Sequence, residues 1–210
     1  MDKNVSAVIE KQIMRTIKAL QKNRFEAHYI PTWDDLLAKL GELMPKGCSC
    51  SVGGSVTLDE TGVLGYLKNG GFTYYDRYAP GADLDKVFHD ALNCDVYFCG
   101  ANAITMDGRL YNVDGRGNRV AAIVYGPKKV VVIAGYNKIV ENLDDAIKRN
   151  RNMAAPANAL RLDKKTPCAE TGLCQDCSCP DRICSQELIT GWQFYPGRIC
   201  VLILGKEYGF

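Results

Sequence analysis

Five of the chain's ten cysteines fall in one short polar stretch, Cys168-Ala-Glu-Thr-Gly-Leu-Cys174-Gln-Asp-Cys177-Ser-Cys179-Pro-Asp-Arg-Ile-Cys184. The spacing C-x5-C-x2-C-x6-C, taken from Cys168, Cys174, Cys177 and Cys184, supplies four thiolates for a tetrahedral zinc ion or a [4Fe–4S] cluster. Gly172 and Pro180 let the chain fold back, and Cys179 is a spare ligand. The alternative is chemistry without metal, in which close free thiols or reversible disulfides do redox work. The other five, Cys48, Cys50, Cys94, Cys99 and Cys200, lie in apolar contexts and read as small core residues.

Three further segments carry polar residues where a strand gives way to a loop. In Ser51-Val-Gly53-Gly54-Ser55-Val-Thr57, paired glycines expose backbone N–H groups to an anion, and Ser55 or Thr57 can add a hydroxyl; the plainer reading is a tight turn with Ser55 as helix cap. From Gly100 to Arg119 the chain makes a long polar excursion. Asp107-Gly108 reads there as a hairpin turn, whereas Asn112, Asn118 and Arg119, with Asn102 before them, suit ligand binding. The third segment is Gly135-Tyr136-Asn137-Lys138, with Asn137 as expected N-cap and Lys138 in the first helical turn. A cation there opposes the helix dipole; its plainer role is a solvated lysine with its stem on Tyr136. Glu60 follows the glycine turn and is the best candidate for a nucleophilic or general-base carboxylate, unless Asp59 and Glu60 simply serve the helix dipole. His28 and His89 form no recognisable ligand pair.

The elements that must position these residues alternate. Apolar residues from Val5 to Leu20 recur at helical spacing, so residues 1–24 form an amphipathic helix that can cap the domain or meet a partner, a second copy included. A strand at Phe25 to Ile30 is followed by a helix from Trp33 to Met44 capped by Thr32. Strands follow near Cys48 to Val52, Phe72 to Tyr75, Asp95 to Cys99 and Lys129 to Ala134. Helices follow Ser55 and run from Leu84 to Leu92, over Val120 to Val124, and from Asn137 to Met153. A last strand, Arg198 to Leu204, is expected at a sheet edge. This rhythm predicts one α/β domain over residues 1–210: three layers, a mostly parallel sheet with helices on both faces, and a C-terminal cysteine-rich insertion over residues 166–186.

Composition narrows the function. With 26 basic against 24 acidic residues scattered along 210, no charge block marks a nucleic-acid or membrane-surface partner. The chain shows neither a secretory signal nor an apolar run long enough for a membrane span, so it is expected in the cytoplasm. Cysteines in that reducing compartment favour metal binding or reactive thiols over structural disulfides.

Five segments taken together, GGSVTLDETG, NAITMDGRLYNVDGRGNRVAA, GPKKVVVIAGYNKIV, AAPANALRL and TPCAETGLCQDCSCPDRIC, resemble the LUD-domain family, the lactate-utilisation or YkgG-like proteins first catalogued as a domain of unknown function. The resemblance spans nearly the whole chain. It implies a fold of the NagB/RpiA/CoA-transferase group, whose sites lie at strand ends and whose members handle sugar phosphates or acyl-CoA thioesters. By analogy with the covalent glutamate of CoA transferases, it draws attention to Glu60. It also implies a link to lactate use beside iron–sulfur and oxidoreductase subunits. The cysteine tail departs from the plainer members.

Two functions of different class follow. One is a metabolite-binding protein, an enzyme or a non-catalytic sensor, that takes a hydroxy acid, sugar phosphate or acyl-CoA at the strand-end crevice. Gly53, Gly54 and Ser55 would hold the anion, Arg119 and Lys138 would balance charge, and Asn102, Asn112 and Asn118 would orient the ligand. The other is a zinc- or iron–sulfur-carrying accessory subunit docked on an oxidoreductase.

Overall fold

A computed structural model describes residues 2–210. The amphipathic N-terminal segment forms helix α1 (Lys3–Lys22), started by the Asp2 carboxylate, and it buries Ile13, Ile17 and Leu20. Strand β1 (Glu26–Ile30) leads to α2 (Trp33–Leu43), where Thr32 and Asp35 form the reciprocal capping box that fixes the helix start. Then come β2 (Ser49–Val52), the short helices α3 (Val56–Glu60) and α4 (Val63–Asn69), β3 (Thr73–Tyr75), α5 (Leu84–Leu92) and β4 (Val96–Cys99). The polar excursion forms a hairpin, β5 (Ala103–Thr105) and β6 (Leu110–Asp114), followed by α6 (Asn118–Val124) and β7 (Lys129–Gly135). A 3-10 turn (Tyr136–Lys138), β8 (Ile139–Val140), α7 (Leu143–Arg149), α8 (Ala155–Arg161), α9 (Pro167–Thr171), β9 (Gln186–Thr190) and β10 (Ile199–Leu204) complete the chain.

Six strands make a wholly parallel sheet in the order β1-β10-β7-β4-β2-β3. Its central strands read as unbroken apolar runs because both faces are covered. Val130, Val132 and Ala134 of β7 pack toward α1 and α6, while Val131 and Ile133 pack toward α2, α3 and α4. A second sheet, ordered β8-β5-β6-β9, lies against the first of these layers through Ile104 and Leu110. Its other face packs on Ala146 of α7 through Ala103, Tyr111 and Val113. No helix among the described residues is long and apolar enough to cross a membrane.

Two expectations are corrected. Strand β10 is not an edge strand: it sits between β1 and β7, because six successive buried apolar residues need a helical layer on each face. The helix expected from Asn137 starts five residues later. Ile139 and Val140 pair in parallel with β5, and Asn142 caps α7 by accepting from the Asp145 N–H at 3.0 Å. Past Arg149 the helix widens to π geometry over Asn150–Ala154, with the Ala155 N–H reaching back five residues to Asn150. Pro156 explains this, since its ring excludes the ordinary position of the carbonyl one turn before it.

The hairpin turn is constrained by its neighbour. Gly108 has φ +86°, and a Cβ there would stand 2.5 Å from the Ala19 backbone of α1. Gly108→Ala is therefore expected to cost about 2–3 kcal/mol, from the left-handed backbone and the overpacked helix contact, and urea denaturation at constant m-value checks it.

Candidate functional site

The C-terminal ends of the parallel strands open into a narrow cleft of about 70 Å³, and all three polar loops reach it. Gly54, Ser55 and Thr57 come from the loop after β2, Asn102 and Arg119 from the excursion after β4, and Lys138 from the turn after β7. The widened helix supplies the opposite wall. Asn150, Ala154, Asn158 and Arg161 recur at helical spacing on one face, and the alanine leaves room between the amides. Cys184 and Ile183 close one end, and Gly209 and Phe210 close another. Among the described residues no aspartate or glutamate side chain lines the cleft, which instead presents Arg119, Lys138 and Arg161.

Arg119 frames the site rather than reaching freely into it. Its Nε donates to Asp114 at 2.7 Å, its Nη1 to the Gly100 carbonyl at 3.3 Å, and its Nη2 to the Val113 carbonyl and to Asn102 Oδ1. The free fork expected from the sequence is thus largely spent, because Asp114, which also accepts the Val120 N–H at the start of α6, lies only five residues away. Asn102 is drawn into the same frame: its amide donates to Asn150 Oδ1 at 2.9 Å, and its carbonyl accepts from Arg149 at 2.7 Å.

Lys138 is not a solvated lysine. It is 3% exposed in the 3-10 turn, and its ammonium donates to the main-chain oxygen of Phe210. Burial, reinforced by the nearby Arg149 cation and opposed in part by Glu60, brings its pKa down to about 7.

The remaining candidates divide. Gly53 lies behind the cleft with its N–H already donated to the Phe98 carbonyl, and a Cβ there would meet the Arg119 stem at 3.2 Å. Asn112 is fully buried and donates to the Gly100 carbonyl, with its Oδ1 unpartnered. Asn118 opens α6 outside the cleft. Asn137, Thr57 and Glu60 all hold the segment Tyr208–Phe210. Asn137 bonds Tyr208 and Gly209, Thr57 donates to the Tyr208 carbonyl at 3.2 Å, and Glu60 accepts the Gly209 N–H at 2.7 Å. Glu60 is exposed and does not line the cleft. Asn150, Asn158 and Arg161 are the wall residues that the sequence reading missed, although their spacing was visible.

In the cysteine-rich segment, Arg182 organises the loop by donating to the Cys177 and Cys184 carbonyls and to Asp176. Cys177 and Cys179 place their sulfurs 3.5 Å apart. Burial, together with the neighbouring Cys174, Cys177 and Cys168 and despite Arg182, pushes the Cys184 thiol up. A single tetrahedral zinc would need sulfurs within roughly 3.8 Å of one another, and the four thiols are not drawn that close. The described trio that is compact, Glu26, His28 and Cys200, has Lys129 bound to Glu26 at 2.5 Å, so an ammonium already fills the role of cation. The five remaining cysteines are buried as expected, and burial pushes Cys50 and Cys99 up to about 12.

A family model described as the LUD domain matches residues 13–204. The chain belongs to the LUD-domain family. This LUD-domain chain is also similar in fold to a DUF162 family protein from Deinococcus radiodurans whose crystal structure is solved: 13% identity, a TM-score of 0.50, and coverage of 95% of this chain and 97% of that one. No curated protein matches the sequence. The match takes in all three loops of the cleft and the whole cysteine-rich segment.

Proposed function

We propose that this LUD-domain protein binds a small anionic metabolite in the strand-end cleft, as part of lactate or related organic-acid use. One observation carries the reading: three basic side chains and three asparagines line a narrow cleft to which, among the described residues, no aspartate or glutamate side chain contributes. At about 70 Å³ the cleft is well below the roughly 300–1,000 Å³ of drug-sized sites, which favours a hydroxy acid or the phosphate end of a sugar over an enclosed acyl-CoA. Arg161 is exposed at the mouth and bonds only Asn158, so reversing its charge leaves the frame intact. Titration calorimetry with lactate, a sugar phosphate and an acyl-CoA tests the reading. Arg161→Glu is expected to weaken the preferred ligand by about tenfold or more, with a steeper loss at low salt. Equal affinity in the two proteins would count against it.

A second reading concerns the cysteine-rich segment. Cys184 lines the cleft, and Cys168, Cys174 and Cys177 lie in the same short segment at a spacing wider than one zinc ion takes, which supports an iron–sulfur group bordering the ligand rather than zinc. Protein purified without oxygen is then expected to carry iron with labile sulfide and to show broad visible absorption, and protein without either would count against this reading. Docking on an oxidoreductase subunit belongs to this reading.

A further inference from the structure

We propose that the aromatic groove beside strand β9 is the surface through which two copies of this chain pair across a two-fold axis, the free edge of β9 meeting its counterpart. Tyr125, Trp192, Phe194 and Tyr195 are between 62% and 85% exposed, and Val124 and Ile189 stand exposed beside them. All six border one groove of about 620 Å³. At roughly 150–250 Å² per ring, the four aromatics leave about 600 Å² of apolar surface in water, the top of the range for ordinary monomers, before the two aliphatic side chains are added. The loop that presents these rings is held firmly. The Gln193 and Gly197 N–H groups donate to the Asn23 and Arg24 carbonyls at 3.0 Å each, and the Gln193 side chain is buried between its exposed neighbours. Phe194 and Tyr195 pack edge to face at 5.0 Å. Rings fixed before contact lose little freedom on contact.

A second copy is the occupant that fits this surface. Strand β9 ends the four-stranded sheet: among the described residues it pairs only with β6, so one row of its backbone N–H and C=O groups is open where Leu188, Ile189 and Thr190 border the groove. A two-fold axis beside an edge strand pairs it antiparallel with itself and joins two four-stranded sheets into one of eight. The surface is also self-complementary, because the loop carrying the projecting rings adjoins the hollow that receives a partner's rings. About 600 Å² from each copy gives about 1,200 Å² from the rings alone, which reaches the size of a stable interface. Charge offers no handle for a partner of opposite sign. Among the described residues no aspartate or glutamate borders the groove, Lys128 is paired with Asp95 at 2.9 Å, and Arg198 is spent on the Ala122, Ile123 and Pro127 carbonyls. Two like surfaces therefore meet without like-charge repulsion. Lys128 and Arg198 immediately precede β7 and β10, which puts the groove at the opposite ends of the strands from the cleft and leaves both clefts open in the pair.

Sedimentation equilibrium of the full chain under reducing agent, which removes disulfide-linked species, tests the proposal. The unaltered protein is expected to be a dimer at about 10 μM and above. Tyr125→Asp combined with Phe194→Asp, both at exposed positions away from the cleft, is expected to weaken the dimer by at least about 100-fold with the circular dichroism spectrum unchanged. Hydrogen exchange of the unaltered protein is measured in parallel at high and low concentration. The Leu188, Ile189 and Thr190 amides are expected to exchange more slowly in the concentrated sample, because pairing protects the edge by mass action. A monomer at about 100 μM would overturn the proposal and leave the groove to a partner of another kind. A dimer that survives the double substitution would overturn it by placing the contact elsewhere. A dimer whose β9 amides exchange at one rate regardless of concentration would overturn the pairing of the two edges. Should the double variant fail to fold, the exchange of the unaltered protein decides alone.

Discussion

Arg119→Ala is expected to destabilise the fold by about 3–5 kcal/mol. The Arg119 side chain is 13% exposed and that of Asp114 is 8% exposed, so removing the guanidinium leaves a carboxylate in a dry site with only the Val120 N–H beside it. The Gly100 and Asn102 oxygens keep other donors, from Asn112 and from the Val113 N–H, so the uncompensated charge accounts for most of the loss. Arg119→Lys is expected to recover only part of it, since one ammonium cannot span acceptors set around a planar fork. Chemical denaturation of both variants checks the order. Equal stability of Arg119→Ala and the unaltered protein would mean that the frame does not hold the cleft together.

The second large effect is a pH dependence carried by Lys138. Its folded pKa of about 7 lies below the unfolded value of 10.5, so between those values the unfolded chain binds the extra proton. Stability from this group is therefore lowest below pH 7 and rises as pH climbs toward about 10. Lys138→Met removes the titration without opening a large void. The stability difference between Lys138→Met and the unaltered protein is expected to shrink by about 2 kcal/mol from about pH 7 to about pH 9. Denaturant melts under reducing conditions at several pH values measure it, and a flat difference would show that the lysine is not desolvated.

Much of this architecture could be read in the residues. Thr32 with Asp35, Ser55 before α3, and Asp107-Gly108 are local signals whose hydrogen bonds form within a few residues, so they survive into the fold. The same holds for the apolar runs of β4 and β7. Strand β10 was misplaced because its partners, β1 and β7, are distant in sequence and nothing local ranks strands within a sheet. The start of α7 was misplaced because Asn137 and Asn142 are equally good caps, and the choice between them is made by the pairing of β8 with β5.

The site divides along the same line. The three loops were legible as polar breaks after apolar strands, and the cleft unites Gly54, Ser55, Thr57, Asn102, Arg119 and Lys138. What could not be read is how the polar groups pair. Arg119 is claimed by Asp114, while Thr57, Glu60 and Asn137 are claimed by Tyr208–Phe210, a segment roughly 150 residues from the first two. The wall of Asn150, Asn158 and Arg161 was hidden in a stretch that also satisfies an ordinary amphipathic helix, and only the π turn forced by Pro156 sets its face toward the strand ends.

The claim that the strand-end loops build one anion site around a buried lysine is tested most directly by nuclear magnetic resonance of the Lys138 side chain, titrated with and without lactate, pyruvate or phosphate. The account predicts a transition near pH 7 in the free protein that moves upward when an anion binds, because a negative charge favours the ammonium. A lysine titrating near 10, or one that none of the anions moves, would contradict it.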